Sequence, residues 1–97
     1  MMNSVNLIGR ICNGPDIRVY EGKNGEFSTA HFSVAVDRNR DETDFISCKA
    51  IGWNAEFIEK HIHKGTRIGV SGRIQLDVWT DKDGNKKYST YVFVERV

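Results

Sequence analysis

The chain has two cysteines, one proline, almost no excess of charge and no long apolar run. Each shortage removes a class of protein. Cys12 and Cys48 are too few for a four-cysteine metal site or a disulfide framework. Both sit in strand-like segments among apolar neighbours, so reduced, buried thiols are expected. No segment is long and apolar enough to cross a bilayer, and the N-terminus has neither the charged start nor the apolar centre of a secretory signal. A soluble cytoplasmic chain with no membrane partner is the expectation. Lys and Arg number 14 against 13 Asp and Glu, for a formal charge of +1, so a polyanionic partner would have to be met by a local patch. At 97 residues the chain has room for one domain with one core, small enough to gain from oligomerisation.

Catalytic constellations are also missing. Asp41, Glu42 and Asp44 come nearest to a carboxylate metal site, but adjacent loop acids are usually a solvated charge run. His61 and His63, two apart on a helix, would point about 200° apart around its axis. No Ser or Cys stands in a nucleophile arrangement. No enzyme activity, metal or cofactor is expected.

What the chain does contain is strand alternation. In the stretch from Thr43 to Trp53, Ile46, Cys48 and Ala50 form an apolar row, while Phe45, Ser47, Lys49 and Ile51 share the opposite face. A Phe and an Ile interleaved with a Lys are neither core nor plain solvated surface. Upstream, residues 3–12 alternate as a first strand, with Val5, Leu7, Gly9 and Ile11 on one face and Asn6, Ile8 and Arg10 on the other. Asn13-Gly14-Pro15 should bend or stop that strand, and a short extended piece, 16–20, follows. Asn24-Gly25 marks a tight connection. Residues 27–36 form a second long strand, with Ala30, Phe32, Val34 and Val36 inward. The charged segment 37–42 reads as a mobile loop.

Asn54 occupies an N-cap position ahead of a short helix. Ala55, Ile58 and Ile62, with Phe57 beside them, form its core stripe, His61, His63 and Lys64 lie near its end, and Gly65 stops it. Residues 66–75 return to strand alternation with Ile68, Val70 and Ile74 inward, and Gly69 and Gly72 suggest bending or a bulge. The remainder reads as a long hairpin: an arm ending at Trp79-Thr80, a tip at 81–86 and a returning strand, 87–94. The fold class that follows is all-β with one short helix: a five-stranded OB-fold barrel, with the helix between strands 3 and 4 and a ligand face on strands 2 and 3.

Taken in order, several segments also resemble the bacterial single-stranded DNA-binding proteins, over essentially the whole of 1–97. These are Asn3-Ser4-Val5-Asn6-Leu7-Ile8-Gly9-Arg10, Gly14-Pro15-Asp16-Ile17-Arg18, Ala30-His31-Phe32-Ser33-Val34-Ala35-Val36, Asp44-Phe45-Ile46-Ser47-Cys48, Lys64-Gly65 and Val70-Ser71-Gly72-Arg73-Ile74. Each is weak alone; the ordered set is specific. The resemblance implies single-stranded DNA as partner, bound without sequence preference in replication, recombination and repair. It also implies a homotetramer with first strands pairing between subunits. The family typically continues into a flexible linker and an acidic tip that recruits replication and repair proteins; the sequence ends at Val97 without one, as either a piece of a longer chain or a short relative would. An OB-fold accessory protein of replication restart or recombination, acting mainly through protein contacts, is the competing reading, and a metal-dependent nuclease a distant third.

Binding single strands needs flat π faces for bases and cations for phosphates. By resemblance, Trp79 matches the hairpin-arm aromatic and Phe45 the aromatic at the start of strand 3. Ile51 and Arg40 stand where aromatics are usual. Trp53, on the face of Ile51 if the strand persists, is the candidate substitute, although it could equally cap the barrel. The candidate cations are Lys49, flanked by Phe45 and Ile51, then Arg10, Arg18 and Arg73 on strands and Lys82, Lys86 and Lys87 near the hairpin tip. Ordinary solvation is the plain alternative for the tip lysines, as core packing is for any single aromatic.

Overall fold

The first strand does not stop at Gly14-Pro15. In a computed structural model describing residues 1–97, β1 runs unbroken over Val5–Gly22 and absorbs that segment as two register shifts against the next strand, between Ile11 and Asn13 and between Asn13 and Asp16. Bulges of this kind bend a strand while keeping its ladder. One strand can therefore serve two neighbours: β1 pairs with β4 from Val5 to Arg10 and with β2 from Arg10 to Gly22.

The other elements are β2 (Gly25–Asp37), β3 (Thr43–Ile51), α1 (Trp53–His61), β4 (Arg67–Thr80) and β5 (Lys86–Arg96). Together the strands close a barrel in the order β1-β2-β3-β5-β4. All neighbours are antiparallel except β3 and β5, which meet in parallel at Cys48↔Val92 and Lys49↔Phe93. This is the five-stranded OB-fold barrel with its helix between strands 3 and 4.

Alternation places Ile11, Ala30, Phe32, Val34, Cys48, Ala50, Ile68, Val70, Val92 and Val94 inside, and Ala55 and Ile58 from the helix, with Ile62 just past its end, plug the barrel. Burial raises the Cys48 thiol to about 11. Cys12 is only half-buried, which corrects the expectation for that thiol. Ile74 is also corrected. Beyond the register shift at Ser71/Gly72, the β4–β5 hairpin leaves the barrel and its inner face has no opposing wall, so Ile74, Leu76, Val78 and Tyr88 are exposed.

Two local readings change. The helix starts at Trp53, with Gly52 in the N-cap position at φ 65, so the strand ends at Ile51 and Trp53 does not extend its face. Asn54 instead donates from Nδ2 to the Glu95 carbonyl at 3.1 Å, tying the helix start to β5. At the other end, Lys60 and His61 occupy the last turn, while His63, Lys64 and Gly65 lie past it. The charged loop before β3 is ordered by its own side chains. Arg38 grips Asp44 at 2.6 Å and Glu42 at 2.9 Å, and Asn39 Oδ1 accepts from the backbone N–H groups of Asp41 and Glu42.

Candidate nucleic-acid interface

Outside the barrel, cross-strand register builds two polar rows over β1, β2 and β3. Asn13 faces Ser33, which faces Ser47; Asp16 faces His31, which faces Lys49. The parallel contact then sets Phe93 beside Lys49. The β4–β5 hairpin rises next to this floor, and its register puts Asp77 with Ser89, Gln75 with Tyr91 and Trp79 with Lys87 on one face.

Between floor and hairpin lies an open cleft of about 530 Å³, lined among others by Asn13, His31, Ser47, Lys49, Asp77, Trp79, Ser89 and Tyr91. It is the largest hollow on the molecule. Lys49 Nζ stands 5.7 Å from the centre of the Tyr91 ring, within cation–π range. The Tyr91 hydroxyl donates to Asp77 Oδ1 at 3.3 Å. Burial first, and then the Asp77 charge, push the Tyr91 phenol above its ordinary pKa, while Arg73 pulls the other way. The cleft thus combines two aromatic rings, one ammonium and several neutral donors and acceptors with two carboxylates, Asp16 and Asp77. With one ammonium against two carboxylates, of which Asp16 is already approached by Arg18 at 3.4 Å, the cleft has no net attraction for an anion, so a planar aromatic ligand would be held there mainly by stacking.

The sequence-predicted residues divide. Trp79 and Lys49 meet in the cleft. Phe45 is on the same face of β3 but four residues away, 70 % exposed and opposite Ala35. Ile51 closes that face at the far end, opposite Thr29. Arg10 is in a different hollow with Arg67 and Asp37, and donates to the Gly65 carbonyl at 3.2 Å. Arg18 is 3.4 Å from Asp16 on the β1–β2 arm, where a hydrogen bond to Tyr20 and then the Asp16 charge raise its pKa. Arg73 covers the Phe93 ring at 4.9 Å and lies 3.8 Å from Glu95. At the hairpin tip, Asp81 organises the turn by accepting from the N–H groups of Asp83 and Asn85, and Lys87 approaches Asp81 at 3.8 Å. Lys82 and Lys86 project into solvent.

Trp53 is 74 % exposed on the helix, stacked on Phe57, and has no part in the cleft. Sequence reasoning missed Tyr91, Asp77, Ser89 and the stacked pair Tyr20–Phe27, whose rings lie 5.7 Å apart on the β1–β2 arm. The signal for Tyr91 was available once a hairpin register was assumed, since it falls on the Trp79 face. Tyr20 and Phe27 flank a tight turn symmetrically, which also places them opposite one another.

No cluster of three or more His, Cys, Asp or Glu is arranged to hold a metal ion, and no helix is long and apolar enough to cross a membrane.

Residues 2–97 match the model of the family described as the single-strand binding protein family. Among similar curated proteins, a single-stranded DNA-binding protein of Clostridium perfringens is 42% identical over 96 residues, covering 97% of this chain and 63% of the relative. Single-stranded DNA-binding protein 1 of Clostridium acetobutylicum is 37% identical over 102 residues, covering 99% and 91%. The single-stranded DNA-binding protein of Onion yellows phytoplasma is 31% identical over 97 residues, covering 100% and 92%. The chain therefore spans a little under two thirds of the first of these and nearly all of the other two. On the strength of a family match running almost from end to end, on a barrel of the expected topology, the chain belongs to the single-strand binding protein family.

Proposed function

We propose that the protein binds single-stranded DNA without sequence preference, stacking bases on Trp79 and Tyr91 and holding phosphate at Lys49, and so protects exposed strands during replication, recombination and repair. The observation that carries this is the cleft, where two rings and an ammonium share one open wall and floor. Family membership supports the same reading, and the relatives are themselves single-stranded DNA-binding proteins by name. Phe45 extends the stacking surface along β3. Ile51 contributes contact without a ring. Arg10, Arg18, Arg73, Lys82, Lys86 and Lys87 supply diffuse positive potential around the cleft more than fixed contacts, because several of them are already paired within the protein.

Titration with oligo(dT), followed by tryptophan fluorescence, tests this. Stacking predicts strong quenching, and Trp79→Ala and Phe45→Ala should each lose about 1–3 kcal/mol of affinity with the far-UV circular dichroism unchanged. Absence of quenching at low salt would sink the proposal.

Assembly as a homotetramer through first strands belongs to the same reading. Before Arg10, β1 pairs only with β4, so its other edge is open, and Ile8 on its outer face is 64 % exposed. An unpaired strand edge with an exposed apolar side chain favours pairing with a second copy. Light scattering should then return four chains per particle, and a monomer would count against it. A cytoplasmic, nucleoid-associated location follows from the ligand proposed.

A further inference from the structure

We propose that the outer face of α1 is a second base-stacking station, separate from the cleft and occupied by single-stranded DNA only when the strand is long enough to fill the cleft first. The inference rests on the single-stranded DNA reading above and extends it to a second site. Trp53, Phe57 and His61 stand at i, i+4 and i+8, so they share one stripe of the helix. Their rings form a ladder, with centres 5.8 Å apart from Trp53 to Phe57 and 4.8 Å from Phe57 to His61.

The buried side of the helix is a different set, Ala55 and Ile58, so the barrel does not need the ladder's far end for its core. Phe57 packs against the core edge and covers one face of the Trp53 indole at an interplanar angle of 26°. The remaining indole face looks into solvent. A single exposed aromatic calls for no explanation. An exposed indole held in place by a ring stacked beneath it is a pre-organised platform, because binding a base costs it little side-chain freedom.

Charge and path favour a nucleic acid as the occupant. Trp53, Phe57 and His61 line a shallow hollow with Lys60 and Glu56, and Lys60 can meet a phosphate beside a base stacked on Trp53. None of these five residues lines the cleft. The two stations are nevertheless joined by β3. Lys49 belongs to the cleft, Ile51 ends the strand, Gly52 turns the chain at φ 65, and Trp53 follows at once. At strand rise, Trp53 begins on the order of 10–15 Å beyond Lys49, a distance a strand covers only with nucleotides left over once the cleft is filled.

Two single-tryptophan variants separate the stations. Trp53→Phe leaves only Trp79 emitting, and Trp79→Phe leaves only Trp53. Each is titrated at low salt with oligo(dT) of about 3 and about 20 nucleotides, the first below and the second above the range of about 4–16 nucleotides usual for one OB fold. The Trp79 signal should be quenched by both lengths, and the Trp53 signal by the longer one alone. Trp53→Ala should weaken binding of the longer oligonucleotide by about five-fold or more and leave the shorter one unaffected. If Trp53 stays unquenched under saturation by the long strand while Trp79 is quenched, the second station is refuted and the cleft stands. If Trp53 is quenched equally by the short strand, the two stations are not filled in order and the inference fails. Quenching of neither would overturn the single-stranded DNA reading itself.

Discussion

Asp77 is a carboxylate inside a cleft proposed to hold a polyanion, and neutralising it should strengthen binding. Asp77→Asn keeps the shape and an oxygen that accepts from the Tyr91 hydroxyl, so the 3.3 Å hydrogen bond survives while the charge is lost. The magnitude follows from the geometry. Lys49 is 5.7 Å from the Tyr91 ring centre, and the hydroxyl on that ring donates to Asp77 at 3.3 Å. A phosphate resting on Lys49 therefore lies on the order of 8–10 Å from the Asp77 carboxylate. With an effective dielectric constant between about 40 and 80, the repulsion removed is about 0.4–1 kcal/mol, or roughly two- to five-fold in affinity at low ionic strength. At about 0.15 M salt the Debye length falls to about 8 Å and the gain should shrink below roughly two-fold. Fluorescence titration with oligo(dT) at both salt levels measures it. Ultraviolet titration of the phenol in the same variant provides an internal check: Tyr91 should fall only part of the way back, because burial is the larger cause of its raised pKa. Weaker binding, or a gain that does not diminish with salt, would refute the placement of phosphate beside Lys49.

Four further outcomes follow. Lys49→Ala should reduce the slope of log affinity against log salt by about 0.7, the contribution of one neutralised single-strand phosphate, whereas Lys82→Ala should leave it nearly unchanged. Gly72→Ala should cost about 1–3 kcal/mol in urea unfolding, since a Cβ there would meet the carbonyl oxygen of Phe93, its carbonyl carbon at 2.9 Å and Val94 Cα at 3.1 Å; a loss under about 0.5 kcal/mol would show that the bulge yields. In the native protein at mildly alkaline pH, a thiol reagent should modify half-buried Cys12 and spare Cys48, which reacts only on unfolding. Because the folded Cys48 thiol is raised to about 11, the unfolded chain releases its proton first, so stability should decline as pH climbs from the ordinary thiol range towards 11, and a melting temperature flat across that window would contradict it.

Much of the barrel was legible because alternation is a local property. Residues 27–36 and 43–51 carry their core rows openly, and the helix announces itself through Ala55, Ile58 and Ile62. The failures came where a long-range contact overrides the local pattern. Asn13-Gly14-Pro15 reads as a terminator, yet the strand continues because β2 accepts the extra residues as bulges. Ile74 alternates like a core residue, yet the hairpin departs from the barrel after Gly72 and no wall faces it. Trp53 fits the strand period, yet a positive φ at Gly52 turns it onto the helix. In the candidate site, Trp79 and Lys49 could each be named from their own strands. Their meeting with Tyr91 and Asp77 depends on two residue pairs of parallel contact between β3 and β5, which no nearby residue encodes.

The same closure bears on how a chain with a formal charge of +1 would hold the anionic polymer proposed as its partner. Bringing β5 against β3 sets Lys49 beside an aromatic ring and also delivers Asp77 and Asp16 to the cleft rim, so the local charge nearly cancels. An electrostatic binder would need the opposite arrangement, with its cations free and converging. Here Arg18, Arg38, Arg73 and Lys87 each approach a carboxylate of their own chain. Stacking therefore outweighs charge, at about 1–3 kcal/mol per base against surface charge interactions that are mostly below about 1 kcal/mol each. Affinity built in this way depends on how many rings a strand can reach in succession. That gives physical meaning to the rings lying outside the cleft, Phe45 on β3 and Trp53 on the helix, at positions where burial in the core cannot explain them.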